Sequence, residues 1–182
     1  MVKFAQSLKE GRLIESAVAQ YLMRKYGISI LPVYDIEIAT GKGPQFFSAS
    51  GSFAAPDLLC WQRRRTMYFV EVKSKSIFTW HRITSNWVTG IDLNHYLDYR
   101  KVQELSGASV YLMFLHAGGA DERGIETPSG LFHADLNTEP NHIWPHATAA
   151  FPHGVVMWRH DQLKKIANYD DVTSTLGMEA RK

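Results

Sequence analysis

The sequence predicts an α/β fold with its elements in the order α-β-β-β-α-β. Three observations predict it. The N-terminal segment has apolar residues at helical spacing without proline, two apolar runs between residues 56 and 73 flank a short basic turn, and a capped helical segment at 92–105 leads into a buried-strand run at 110–115. A chain of 182 residues that is 45% hydrophobic and 12% aromatic suits one domain with a substantial core, and it excludes disorder over the whole length.

The first helix is read over residues 7–26. Ser7 and Glu10 have the spacing of a capping box, in which each side chain satisfies a free backbone amide. Leu8, Gly11, Val18, Ala19 and Leu22 share one face, and Glu15 lies on that face too. The competing account of Glu15 is a solvated acid at the edge of the stripe. A strand is expected at about 28–38. Residues 40–54 follow as a Gly- and Ser-rich loop carrying Phe46, Phe47 and Phe53, either a lid on the core or a surface that stacks on unpaired bases. The hairpin spans 56–73. A polar and aromatic stretch, 74–90, holds Trp80, His81, Arg82 and Trp87. Asp92 caps the second helix and Gly107 ends it. Beyond the 110–115 strand, the pattern predicts a loop at 117–127, short strands at 131–136 and 155–158, a short helix at 161–169 capped by Asp161, and a loose tail from 173. The expected organisation is a single domain over 1–182, with a core at about 7–116, an elaboration at 117–172 and a tail at 173–182.

The hairpin carries the chemistry. Its strands read Pro56-Asp57-Leu58-Leu59-Cys60-Trp61 and Met67-Tyr68-Phe69-Val70-Glu71-Val72-Lys73. Side chains alternate along a strand, so Glu71 and Lys73 share a side while Val72 faces the other. Pairing of the two runs brings Asp57 close to Glu71. Two carboxylates and an ammonium then crowd an apolar surface, which is costly unless the charges are compensated. A divalent cation held by the carboxylates resolves the conflict, and hard oxygen donors suit Mg²⁺ or Mn²⁺. The plainer account of Glu71 and Lys73 is a pair on the exposed face of a strand.

Pro56-Asp57 followed by Glu71-Val72-Lys73, with Glu15 on a preceding helix, resembles the PD-(D/E)xK nuclease superfamily. The resemblance covers residues 7–116. It implies a restriction-endonuclease-like core, a central mixed β-sheet flanked by helices, and a metal-dependent deoxyribonuclease that uses Mg²⁺ or Mn²⁺. Glu15, Asp57, Glu71 and Lys73 are the implied catalytic set. Asp57, Glu71 and the Val72 backbone carbonyl are the implied metal ligands. The implied partner is DNA, with branched or distorted duplex favoured, in recombination, replication or repair; many relatives act as dimers, so a homodimer is possible. Lys75, Arg82 and Tyr99 are the further nucleic-acid contacts expected, the competing accounts being a strand-end lysine for Lys75 and a core ring for Tyr99. The Gln-x-x-x-Tyr order common on the second helix is reversed here, as Tyr99-x-x-x-Gln103. The alternatives are a non-catalytic nucleic-acid-binding or scaffolding protein on the same fold, and a nuclease directed at RNA.

Charge distribution supports a polyanionic partner more than net charge does. The formal net charge is only +2, but residues 60–104 carry eight basic groups against four acids, whereas residues 117–142 carry one against five. Arg63 to Arg65 stand where a solvated turn is expected. The single cysteine, Cys60, excludes a disulfide framework and a cysteine-rich zinc site, and no apolar run is long enough to span a bilayer. The chain reads as cytoplasmic. His142 and His146 have i, i+4 spacing, but Trp144-Pro145 between them opposes a helix, so a zinc site is not expected.

Overall fold

The computed structural model describes residues 2–33, 43–62, 67–146 and 152–174, with side chains from Gly11 onward. Helix α1 runs over Val2–Tyr26. It starts five residues before the capping-box position, so Ser7 lies inside it. Nothing before Gly11 breaks a helix, and Ala5, Gln6, Leu8 and Lys9 favour one, so the helix simply continues through. Gly27 ends it at φ 63°, with its N–H on the Met23 carbonyl at 3.0 Å. Ala17, Val18, Ala19 and Leu22 form the buried stripe.

Strand β1, Ser29–Pro32, is shorter than the 28–38 expected, and the rest of that reading falls largely outside the described residues. Residues expected as a loop form a hairpin instead, β2 (Gln45–Ser48) and β3 (Gly51–Ala54), with Phe46 opposite Phe53. Phenylalanines at directly paired positions and a two-residue turn outweigh the low strand propensity of Ser and Gly. Strand β4 is Leu58–Trp61 and β5 is Tyr68–Lys75, paired antiparallel with Leu58 opposite Val70. The basic turn, residues 63–65, lies outside the described residues.

The stretch at 74–90 is also more ordered than expected. It holds β6 (Thr79–His81) and most of β7 (Asn86–Asp92), a second hairpin with Trp80 opposite Trp87. Helix α2, Leu93–Ser106, has the expected ends: Asp92 accepts from the Asn94 N–H at 2.9 Å, and Gly107 takes the left-handed conformation. Strand β8, Val110–His116, then runs parallel to β5.

Beyond it lie the small ladder β9 (Gly119–Ala120) with β10 (Glu126–Thr127), then β11 (Gly130–Asp135), β12 (His142–Trp144) and β13 (Val155–Arg159). The helix expected at 161–169 does not form. A 3-10 turn at His160–Gln162 leads into β14 (Lys164–Ala167), and only Tyr169–Thr173 is helical, as α3. Pairing with β11 overrides the local helical pattern there.

The main sheet has the order β1-β4-β5-β8-β11-β14, in which only the β5–β8 pair is parallel. It is a central mixed sheet flanked by helices. Within it, α1, β1, β4, β5, α2 and β8 give the α-β-β-β-α-β order. The C-terminal third is no appendage, because β11 and β14 extend the same sheet. Val70, Val72, Met113 and Leu115 pack against α1 on one face. On the other, Val110, Leu112, Phe114 and Phe132 pack against Tyr99 of α2 and a second sheet, β12-β13-β7-β6, through Ile91, Val156 and Trp158. Gly90 lets β7 cross close to β13, since a Cβ there would collide with the Val156 carbonyl.

Candidate active site

The site forms where β4 stops pairing with β5. Register matching ends at Leu58–Val70, just after Pro56, which has no N–H to give to a ladder. The next ladder positions are taken by side chains. Val72 donates its N–H to Asp57 Oδ2 at 2.8 Å, and Asp57 donates its own N–H to Glu71 Oε2 at 3.3 Å. This reciprocal clasp fixes the two carboxylates side by side. In a strand, the N–H and C=O of one residue point to the same edge, so the Val72 carbonyl also faces the Asp57 side.

Alternation on β5 turns Glu71 and Lys73 towards α2 and away from the Val70–Val72 face. The Lys73 ammonium makes an ion pair with Glu71 Oε1. Glu71 is only 1% exposed, and the Tyr99 hydroxyl lies close to its carboxylate. Glu15 reaches the same group from α1. Its Oε2 is buried with no hydrogen-bond partner among the described residues, and it lies within the electrostatic field of Glu71 and Lys73. The structure therefore brings together Asp57, Glu71 and Lys73, with Glu15 beside them.

The electrostatics follow from three acids and one ammonium in a poorly hydrated place. Burial pushes the Asp57 carboxyl well up, and Glu71 pushes it further, while Lys73 and the Val72 N–H pull it back in part. Burial likewise raises Glu15, with Glu71 adding to the effect. Burial alone would lower Lys73, yet attraction to Glu71 and Asp57 outweighs it and holds the ammonium charged. Tyr99 is pushed well up by burial, then by Glu71 and Asp57. The site is short of positive charge.

The residues fit a hard divalent cation on two counts: raised carboxylates in want of a counter-charge, and an orphaned buried oxygen on Glu15. Among the described residues, no three His, Cys, Asp or Glu side chains form a ready cage. Asp57 and Glu71 with the Val72 carbonyl make a partial set, the kind that leaves remaining positions to water and substrate.

The outer predicted residues are less uniform. Lys75 continues the Glu71–Lys73 face and is lowered by burial and by Lys73. Arg82 sits in the β6–β7 turn with an 87% exposed side chain, 3.8 Å from Glu122 Oε1. Tyr99 is 2% exposed and presents no ring to a ligand, which places it in the core as support for Glu71. Sequence reasoning missed that supporting contact. The available signal was that Asp92, His95 and Tyr99 share one face of α2. It also missed Asp98, which accepts the Ala54 N–H at 2.9 Å and ties the β2–β3 hairpin to α2 three residues before Asp57.

No protein-family model matches the chain, and no curated protein does. Among solved structures, the chain is similar to Hjc of Archaeoglobus fulgidus, a Holliday junction resolvase from an archaeal hyperthermophile, at 11% identity and a TM-score of 0.45 over 85% of this chain and 91% of that one. No helix among the described residues is long and apolar enough to cross a membrane.

Proposed function

We propose that this chain is a metal-dependent endonuclease that hydrolyses DNA phosphodiester bonds and is directed by DNA structure more than by sequence. The observation that carries the reading is the clasp of Asp57 and Glu71 across the β4–β5 register, with Lys73 paired to Glu71. Asp57, Glu71 and the Val72 carbonyl would hold Mg²⁺ or Mn²⁺. When bound, the cation neutralises phosphoryl charge and makes water more acidic. Lys73 stays protonated and offers its N–H groups to the attacking water or to a phosphoryl oxygen as charge builds there. Glu71 aims Lys73, and Tyr99 holds Glu71 from the α2 side. Glu15, with a raised pKa and an unused oxygen, is placed to take a proton or to hold a water.

Two features support DNA as the partner. Residues 60–104, the stretch of sequence that includes Glu71 and Lys73, carry eight basic groups against four acids. The β2–β3 hairpin, anchored next to Asp57, carries Phe47 at 74% exposure, a ring free to stack on an unpaired base. Cutting two strands would call for a homodimer.

The test is cleavage of a labelled panel (single strand, duplex, flap, splayed fork, four-way junction) with Mg²⁺ or Mn²⁺, by wild type and Lys73→Ala. Metal-dependent cutting of a branched member, abolished in Lys73→Ala while DNA binding persists, is the expected result. Folded protein that binds the panel but cuts none of it would instead make the chain a binding module.

A further inference from the structure

The α1 face of the main sheet carries a second feature, on the side of β5 opposite to Glu71 and Lys73. An open-mouthed cavity of about 520 Å³ lies between the end of α1 and strands β5, β8, β11 and β14. That volume is within the roughly 300–1,000 Å³ range of small-molecule sites. Alternation places Tyr68 on the Val70–Val72 side of β5, opposite to Glu71 and Lys73.

One wall is aromatic. The Tyr68 and Tyr111 rings meet edge to face at 5.4 Å, and Tyr111 continues to the His133 ring at 5.3 Å. Tyr26 lines the α1 side. The polar part is cationic and neutral, because among the described residues no carboxylate lines the cavity, and Lys164 stands on its β14 side. His133 Nδ1 is buried with no hydrogen-bond partner among the described residues. Burial and Lys164 lower the His133 pKa, so the ring is neutral and bears one proton. A buried orphan nitrogen is better left bare than as an unmet donor, which puts that proton on Nε2 and makes it a donor.

We propose that this cavity binds a flat aromatic ring bearing one anionic group, at the scale of a nucleoside monophosphate, with the ring on Tyr68 and Tyr111 and the anion at Lys164 and His133. Such a ring packs on tyrosine through its face or edge whatever its substituents, so the site selects for aromatic and anion together and not for one base. The proposal does not rest on the nuclease reading.

The test is calorimetric titration of the full chain with deoxyadenosine monophosphate, deoxyadenosine and inorganic phosphate, in EDTA so that no divalent ion occupies the carboxylates. Deoxyadenosine monophosphate is expected to bind saturably and more tightly than either part alone. Lys164→Glu, an exposed position, is expected to weaken it by about tenfold, since like charges then face each other. Lys165→Glu, the same charge change one residue along β14, is expected to leave binding largely intact. A short single strand with a 5′ phosphate tells the source: tighter binding than the mononucleotide assigns the site to a strand end, weaker binding to a free nucleotide. No saturable binding at millimolar concentration would overturn the proposal. So would equal loss in both lysine variants, or phosphate binding as well as the nucleotide does.

Discussion

At the scale of single residues, the site is held by conflict more than by complementarity. Asp57 and Glu15 are carboxyls that burial pushes up, so the folded state holds their protons more tightly than the unfolded chain does. Their ionisation costs stability, and that cost grows as pH rises from the ordinary carboxyl range through their raised values. Asp57→Asn keeps an oxygen for the Val72 N–H and removes the charge. It is expected to be more stable than wild type at neutral pH without metal, by about 1–3 kcal/mol, and the advantage should shrink on acidification. Urea unfolding of both proteins across pH checks this; an Asn variant less stable at neutral pH would contradict it. Lys73→Ala works in the opposite sense. It strands the acids, and because Lys73 is 29% exposed the loss should fall below the roughly 3–5 kcal/mol of a fully buried pair. Asp57, Glu71 and Lys73 were legible in the sequence because charges inside apolar runs stand out. Tyr99 was not, because its ring reads as core and only the folded register shows its hydroxyl at Glu71.

At the scale of elements, the hairpins were the hardest to read. β2–β3 and β6–β7 are made of three- to seven-residue strands rich in Ser, Thr and Gly, whose pairing depends on partners that the local pattern does not name. β14 shows the same effect, since its helical pattern yields to pairing with β11. α2 was legible at both ends because capping is local chemistry: Asp92→Ala is expected to cost about 1 kcal/mol, read from thermal unfolding. The tie between Asp98 and Ala54 makes a sharper forecast. Asp98→Ala should cost about 1–2 kcal/mol and speed amide exchange over residues 45–54 before any other strand. Uniform acceleration across the main sheet would show that the hairpin is not held at that point.

At the scale of the whole molecule, two layers of core meet on one mixed sheet, and the site lies at the edge where β4 ends. The α-β-β-β-α-β order was legible because each of its elements carries a local signal. The second sheet, and the way β11 and β14 extend the first, were not, since they join residues far apart in sequence. His116 records how dry the inner layer is. Burial, then Lys75 and His160, push its pKa down to about 3, and its ring stacks on Phe78 at a centroid distance of 3.7 Å. Its folded pKa lies below its ordinary value of 6.5, so the stability tied to neutral His116 is complete above that value and is lost as pH falls towards about 3. His116→Gln should therefore flatten the acid limb of a stability–pH curve, whatever it does at neutral pH. The most direct test of the central claim is calorimetric titration of Mn²⁺ into wild type, Asp57→Asn and Glu71→Gln. A saturable event in wild type that both variants lose is the predicted result, and identical binding in all three would place the cation elsewhere and contradict the account.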